Sequence, residues 1–555
     1  MGRQRGGEVV TFDVSHDAAD PDATGYPDGG PAPGRTGRAV RAVERWRRAG
    51  RRQRRTALGI AAVAVLVLTG GAVAAGALAD HVETDRLRTA PGGVLSLDGA
   101  LTEVWHADVD GLATVLPDGG LAVVRGADLV ALEVATGIER WRTTLDDGLE
   151  CGPRPRLGSG VEWTIPVETV TCVHGADGAR AVTVLDADGD VVGRRDLDDD
   201  RYGGPLRAVA PAAHGGLLVA EHDSDLPAQV TFASRRQVFA ELLRPGLEPG
   251  STQVRLEDAL TGERRQTLDL AALSDVVASD CYDLGADGPS GDAVPGPGGR
   301  AVLDLGVLLG TPSMVAFDGC AVDGGATYAG VPLGHATDRS TWPDDPVRQP
   351  APGDRFVAPQ GSGTIVQTDD GTPVLELPDL RVEVPATDGS SGSGQVAVGT
   401  DRVVALADDG TERWEVSLDD PQVLVRTADV VVAGGWNLLA AYDPADGSER
   451  WSLAPDAGPR RYVLSAATDG ERMTGVLLEF PATGPATFSL FTIDLRTGRE
   501  VAPRVPLGDG RLGETGQLVA VDGHLLVPEF ADREAMTAGP GSAVVGLTVL
   551  APEGA

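Results

Sequence analysis

Two features of the 555-residue chain predict an all-β fold of the propeller type. One is its short Val/Leu/Ala runs, cut by Gly and Asp turns. The other is a strand–turn–strand pattern that returns along the chain at intervals from about 37 residues upward. A third feature, an uncharged stretch near the start, sets that fold behind a membrane helix. In chain order the segments expected are a disordered tail with a basic juxtamembrane segment (1–55), a transmembrane helix (56–79), a short linker (80–95) and an extracytoplasmic propeller (96–555).

Residues 1–37 are polar and rich in Gly, Pro and Asp, too poor in apolar surface to offset the entropy of folding. Residues 38–55 hold nine Arg. Their simplest role is a topology signal. The alternative is a basic helix on anionic lipid, with Val40, Val43 and Trp46 toward the membrane. The stretch TALGIAAVAVLVLTGGAVAAGALA follows, with 24 residues and no charge. As a helix it spans about 36 Å, enough for a hydrocarbon core of about 30 Å. Asp80, His81, Glu83 and Asp85 come next, so the positive-inside rule puts the N-terminus in the cytoplasm and the remainder outside. A signal peptide cleaved after Ala77-Leu78-Ala79 is the competing reading. The apolar run and the charged leader are both too long for it.

Charge follows the same division. Residues 1–55 carry 12 Arg and 7 acidic residues, a net of +5, whereas everything after the helix sums to −40. So acidic an outer domain repels nucleic acid and favours basic peptides or proteins. All 47 basic residues are Arg, which excludes Schiff-base, P-loop and Ser–Lys chemistry. The four cysteines, Cys151, Cys172, Cys281 and Cys320, all follow the helix and read as two disulfides. Three connectivities are possible, and nearest-neighbour pairing is the one expected.

The repeat is plainest in Val130–Trp141 (VALEVATGIERW), Val404–Trp414 (VALADDGTERW) and Leu439–Trp451 (LAAYDPADGSERW). Looser copies lie at 182–197, 254–270, 364–377 and 490–507. In each, an alternating apolar run makes one strand, a Gly turn reverses it and a second strand follows. The tryptophan is expected to fill the space between adjacent blades. Counting the C-terminal run 544–555 gives eight blades, with seven as the alternative. That last unit lacks a strand, and residues 97–109, carrying Trp105, are expected to supply it and close the ring. The weak region is 271–355, where 285–300 reads as a surface loop inserted in a blade.

These copies resemble the PQQ-type β-propeller repeat family. Trp141, Trp414 and Trp451 fall at its docking tryptophan, and Gly137, Gly410 and Gly447 at its turn glycine. The resemblance implies the fold but leaves the activity open, because the family includes quinoprotein dehydrogenases and non-catalytic scaffolds. A dehydrogenase of this kind needs PQQ with calcium, a catalytic Asp and, in many members, two adjacent cysteines. No adjacent pair exists here, and no local motif supplies calcium ligands.

Other chemistry is equally thin. Asp186, Asp188 and Asp190 resemble the start of a calcium loop, yet the later bidentate Glu is missing and a solvated turn is the simpler reading. No HExxH or nucleophile elbow occurs. Glu103, Glu139, Glu412 and Glu449 recur two residues before each Trp, which suits a structural or solvent-facing role. No catalytic residue and no cofactor is assigned. The function expected is a non-catalytic binding or scaffold protein of the cell envelope, with envelope or membrane proteins as partners. The alternatives are a membrane-tethered PQQ-dependent dehydrogenase and an envelope sensor signalling through its tail.

Overall fold

The structure is a computed structural model. It describes residues 78–553 apart from 157–159, 177, 205, 224–228, 233–249, 271–281, 284–298, 304–306, 320–321, 328–331, 334–348, 352–354, 361–362, 369, 393, 454–459, 482, 508–516 and 531–543. The expected tail, and the expected span 56–79 up to residue 77, therefore lie outside the described residues. Among those described, no helix is long and apolar enough to cross a membrane. The chain divides into two compact units, Met1–Ala79 and Asp80–Ala555, and the second holds every described sheet.

Nine four-stranded antiparallel sheets follow one another along the described part of that unit. In chain order they cover 111–144, 150–196, 207–270, 307–333, 349–377, 381–417, 422–453 and 460–507, here sheets 1 to 8. Sheet 9 takes three strands from 519–552 and its fourth, Leu101–Asp108, from the start of the unit. That strand pairs with Val544–Pro552 from Leu101↔Pro552 to Asp108↔Gly546, so the expected closure by an N-terminal strand is present.

The sequence pattern explains the layering. The second and third strands of sheet 1, Gly120–Arg125 and Asp128–Glu133, are buried along nearly their whole length, because neighbouring sheets cover both faces. Their sequences accordingly read as unbroken apolar runs. The outer strands Glu139–Thr144 and Val191–Asp196 alternate exposed and half-buried positions, with one face to solvent. Apolar clusters join each sheet to the next, as Ala131 to Leu185 between sheets 1 and 2, and Trp414 to Tyr442 between sheets 6 and 7. Val123 and Val549 join sheet 1 to sheet 9 in the same way, closing the ring.

The expectation of eight blades falls one short of these nine four-stranded sheets. The uncounted one is sheet 4, formed by Val307–Gly310, Met314–Gly319, Val322–Thr327 and Pro332–Leu333, inside the region read as weak. Its Val315 and Phe317 pack on sheet 3 as in any other pair of neighbours. An additional three-stranded sheet, from Gln229–Phe232, Tyr282–Asp283 and Gly299–Leu303, accompanies sheet 3. The loop expected at 285–300 lies outside the described residues up to 298.

Residues 80–95, expected as a short linker, are packed against the sheets. Helix 78–89 leads into an extended segment in which Val94 and Leu97 are buried. Val94 N donates to Thr468 O at 2.9 Å, Thr468 N to Gly92 O at 2.9 Å, Thr387 N to Pro91 O at 2.7 Å and Leu95 N to Gly523 O at 2.8 Å. Arg86 and Arg88 reach Asp388 and Asp522 at 3.4 and 3.6 Å. All these partners lie on first turns, where the first strand of a sheet passes to its second. The corresponding loop of sheet 2 joins them. It buries Trp163 against sheets 1 and 9, and the Glu162 carboxylate accepts from Ser313 Oγ of sheet 4 at 3.0 Å. One face of the ring is thus strapped by its own chain.

Candidate functional site

The repeat residues prove to be the joints between sheets. Each tryptophan sits on the outer strand of one sheet and seats on the turn between the third and fourth strands of the next. Trp105 Nε1 donates to Val134 O at 2.7 Å, Trp141 to Ala187 O at 2.8 Å, Trp414 to Pro444 O at 3.0 Å and Trp451 to Leu495 O at 2.8 Å. Under each ring lies the turn glycine of the next copy, with positive φ: Gly137, Gly189, Gly447 and Gly498. A Cβ on Gly447 would stand 2.8 Å from the Trp414 ring, and one on Gly189 2.5 Å from that of Trp141, so glycine is required by conformation and by space. Gly410 meets Leu375, which holds the tryptophan position of a loose copy. Gly189 and Gly498 were not singled out in the sequence, although both stand in quoted copies; the signal was the turn of the following copy.

The remaining sequence candidates also take structural roles. Asp186 Oδ1 accepts from the backbone N–H of Asp188 and Asp190 at 3.0 and 2.9 Å, so this carboxylate closes its own turn. Cys151 and Cys172 stand opposite each other on adjacent strands of sheet 2 and form a disulfide. Cys281 and Cys320 lie outside the described residues. Glu139 is exposed and pairs with Arg142 at 2.7 Å, as expected of a solvent-facing position. Among the described residues no three His, Cys, Asp or Glu side chains converge as a metal site requires, and the two described cysteines are cross-strand rather than adjacent.

Two polar clusters fill gaps. Between sheets 2 and 3, Gly193 holds the tryptophan position and Leu260 packs against it. Nearby, the buried Glu257 carboxylate accepts from Tyr202 Oη at 2.8 Å and Arg201 at 2.7 Å. Arg207, Glu221 and Arg255 complete a charged cleft of about 450 Å³ whose groups pair with one another. In sheet 2 the buried His174 sits 3.0 Å from Asp146 and 2.8 Å from Thr183 Oγ1. Burial, then the Arg194 charge, hold its pKa below the usual 6.5 against the pull of Asp146. The unfolded chain therefore takes up this proton first. The stability due to neutral His174 is whole above about pH 6.5 and drains away as pH falls through the folded value. His174→Gln should flatten the fall in melting temperature between about pH 7.5 and about pH 5.

One surface departs from this pattern of self-satisfied groups. The hairpin joining Val431–Gly435 to Leu438–Tyr442 in sheet 7 turns through Trp436 and Asn437, the latter at φ 59°. Asn437 N donates to Arg461 O at 2.9 Å and its Oδ1 accepts from Arg461 N at 2.8 Å, clamping the turn to sheet 8. The clamp sets Trp436 against Tyr462 and Phe480, with ring centroids 5.2 and 5.8 Å apart. Trp436 and Phe480 are 38% and 39% exposed, unlike the seated repeat tryptophans. Beside them opens a cleft of about 280 Å³ floored by Leu438, Leu439, Val463, Leu477 and Phe491. Its rim carries Arg461, ion-paired with Glu479 at 2.6 Å, and Arg504, ion-paired with Glu500 at 2.5 Å. Burial, with Asp420 and Glu383 adding to it, pushes the Tyr462 hydroxyl up to about 12, so it stays a donor.

No curated protein matches the chain. Among solved structures, BamB from Moraxella catarrhalis is similar at 11% identity and TM-score 0.33, covering 81% of this chain and 99% of that one. The quinohemoprotein alcohol dehydrogenase ADHIIG from Pseudomonas putida HK5 is similar at 12% identity and TM-score 0.33, covering 82% and 77%. A europium-containing methanol dehydrogenase is similar at 11% identity and TM-score 0.28, covering 81% and 93%. The family model described as outer membrane protein assembly factor BamB matches residues 92–281 and again 339–528. With both spans falling on the strand–turn–strand copies and their tryptophan joints, this chain belongs to that PQQ-like β-propeller repeat family.

Proposed function

We propose that the chain is an extracytoplasmic binding or scaffold protein of the cell envelope, held in the plasma membrane by the helix expected at 56–79 with its N-terminus in the cytoplasm. It engages other envelope proteins and carries out no reaction of its own. The observation that carries this reading is the Trp436–Tyr462–Phe480 cluster beside an open apolar cleft, whereas Trp105, Trp141, Trp414 and Trp451 are seated in the joints between sheets. Exposed aromatic residues at an apolar cleft are a mark of protein interfaces. The family supports it, since its model is named for an assembly factor. Contact of the basic segment 38–55 with anionic lipid belongs to the same proposal.

The purified chain, mixed with PQQ and Ca²⁺ and then freed of unbound PQQ, should retain no quinone absorbance and show no dye-linked alcohol oxidation. Turnover above that of free PQQ would replace the scaffold reading with the dehydrogenase alternative.

A further inference from the structure

We infer that the cleft between sheets 7 and 8 is the docking site for a peptide segment of a partner protein. The segment lays one large apolar side chain into the cleft and carries Arg or Lys beside it. This rests on the protein-binding reading above and names its site. The floor of Leu438, Leu439, Val463, Leu477 and Phe491 offers an inserted group only apolar contacts, which selects an aliphatic or aromatic side chain over an anion or a metal. At about 280 Å³ the space suits a side chain, not a folded surface.

The surroundings provide the rest of an anchor site. Tyr462 lines the cleft and Trp436 packs between it and Phe480 at its edge, a cluster held in place before binding because Asn437 ties the hairpin to sheet 8 on both its donor and acceptor sides. Aromatic anchors surrounded by polar groups that exclude water are the composition of binding hot spots. Here that surround is the Arg461–Glu479 and Arg504–Glu500 pairs. Charge selects among apolar segments. The chain beyond the helix sums to −40, and Asp420 stands near Tyr462, so a basic segment is drawn in and an acidic one repelled.

The test places a photo-crosslinking amino acid in the full-length chain, in cells, at Leu453 or Phe480 beside the cleft, and at the exposed controls Ile138 and Val191 in sheets 1 and 2. The expected result is a crosslink at the cleft positions and not at the controls. The captured segment should hold a Leu, Ile, Met, Phe, Tyr or Trp within about three residues of Arg or Lys, within reach of an extended chain. A synthetic copy of it should bind the purified chain, with at least about tenfold loss on Trp436→Ala, or on replacing its apolar anchor by Ala. Replacing its basic residues by Glu should also weaken it, with the difference shrinking in salt.

Capture of a second copy of this chain, of a glycan, or of an acidic segment would overturn the inference. Crosslinks only at Ile138 or Val191 would overturn it too, while leaving the protein-binding reading intact. Crosslinks to protein at no position would remove both.

Discussion

Replacing Trp414 by alanine is expected to cost about 3–5 kcal/mol, the usual range for a large buried aromatic cut to a methyl. Trp414 is 6% exposed and packs with Val423, Val431, Ala433 and Tyr442 of the next sheet, so the loss opens a cavity at a joint rather than at an edge. The change also leaves Pro444 O without the indole donor it holds at 3.0 Å. Trp414→Phe, which retains much of the packing but not the donor, should lose clearly less. A cycle with Gly447 makes the joint itself measurable. Gly447→Val adds left-handed strain at φ 73° and drives its Cβ to within 2.8 Å of the ring. In the Trp414→Ala background the clash with the ring is removed, leaving only the 3.0 Å approach to the Cβ of residue 414 and the backbone strain, so the two effects should be less than additive. Thermal melting with hydrogen exchange across sheets 6 and 7 would read this out. Equal costs of Gly447→Val in both backgrounds would show that ring and turn do not bear on each other.

Placing a carboxylate at Leu97 should be as damaging. Leu97 is fully buried among Leu101, Val476, Leu525 and Leu550, and the nearby Arg472 is already paired with Asp98 and Asp469. Burying an unpaired carboxylate costs several kcal/mol, so Leu97→Asp should lower stability by about 4 kcal/mol or more. The loss should appear first as rapid exchange and proteolysis at the first turns that the segment straps, around Thr387, Thr468 and Gly523. Val82→Asp, at a position 59% exposed on the preceding helix, is the matched control and should stay within about 0.5 kcal/mol of the parent. Similar behaviour of the two variants would mean that residues 90–97 are a passive linker after all.

Much of the fold was legible because its signals are local. A Gly turn between an apolar strand and a strand bearing Trp four residues later marks a pair of strands wherever it occurs, and three good copies sufficed to find four looser ones. Sheet 4 escaped because the sequence around Val307–Gly310, Met314–Gly319 and Val322–Thr327 carries no copy of that glycine–tryptophan spacing. Its membership is decided by Val315 and Phe317 packing on sheet 3, a contact with no local mark. The strap escaped for a related reason. Its hydrogen-bond partners lie some 290 to 430 residues further along the chain, and nothing in 80–97 names them.

The candidate site divides along the same line. Trp436, Tyr462 and Phe480 come from two sheets, and in sequence they are three unremarked aromatics. Only the Asn437 clamp, a pairing across sheets, makes them one surface.

By itself the sequence determined an all-β chain of strand–turn–strand units, closed by its own early strand and sealed by tryptophans. Each of those follows from side-chain period, turn conformation and an unmatched strand edge, which act over a few residues. The tertiary structure decided that each tryptophan serves the neighbouring unit, that nine four-stranded sheets stand in the described ring, and that the segment after residue 80 straps one face. It also decided which aromatics face solvent. Those outcomes depend on packing between residues far apart in the chain, where a side chain's role is set by what it meets rather than by what flanks it.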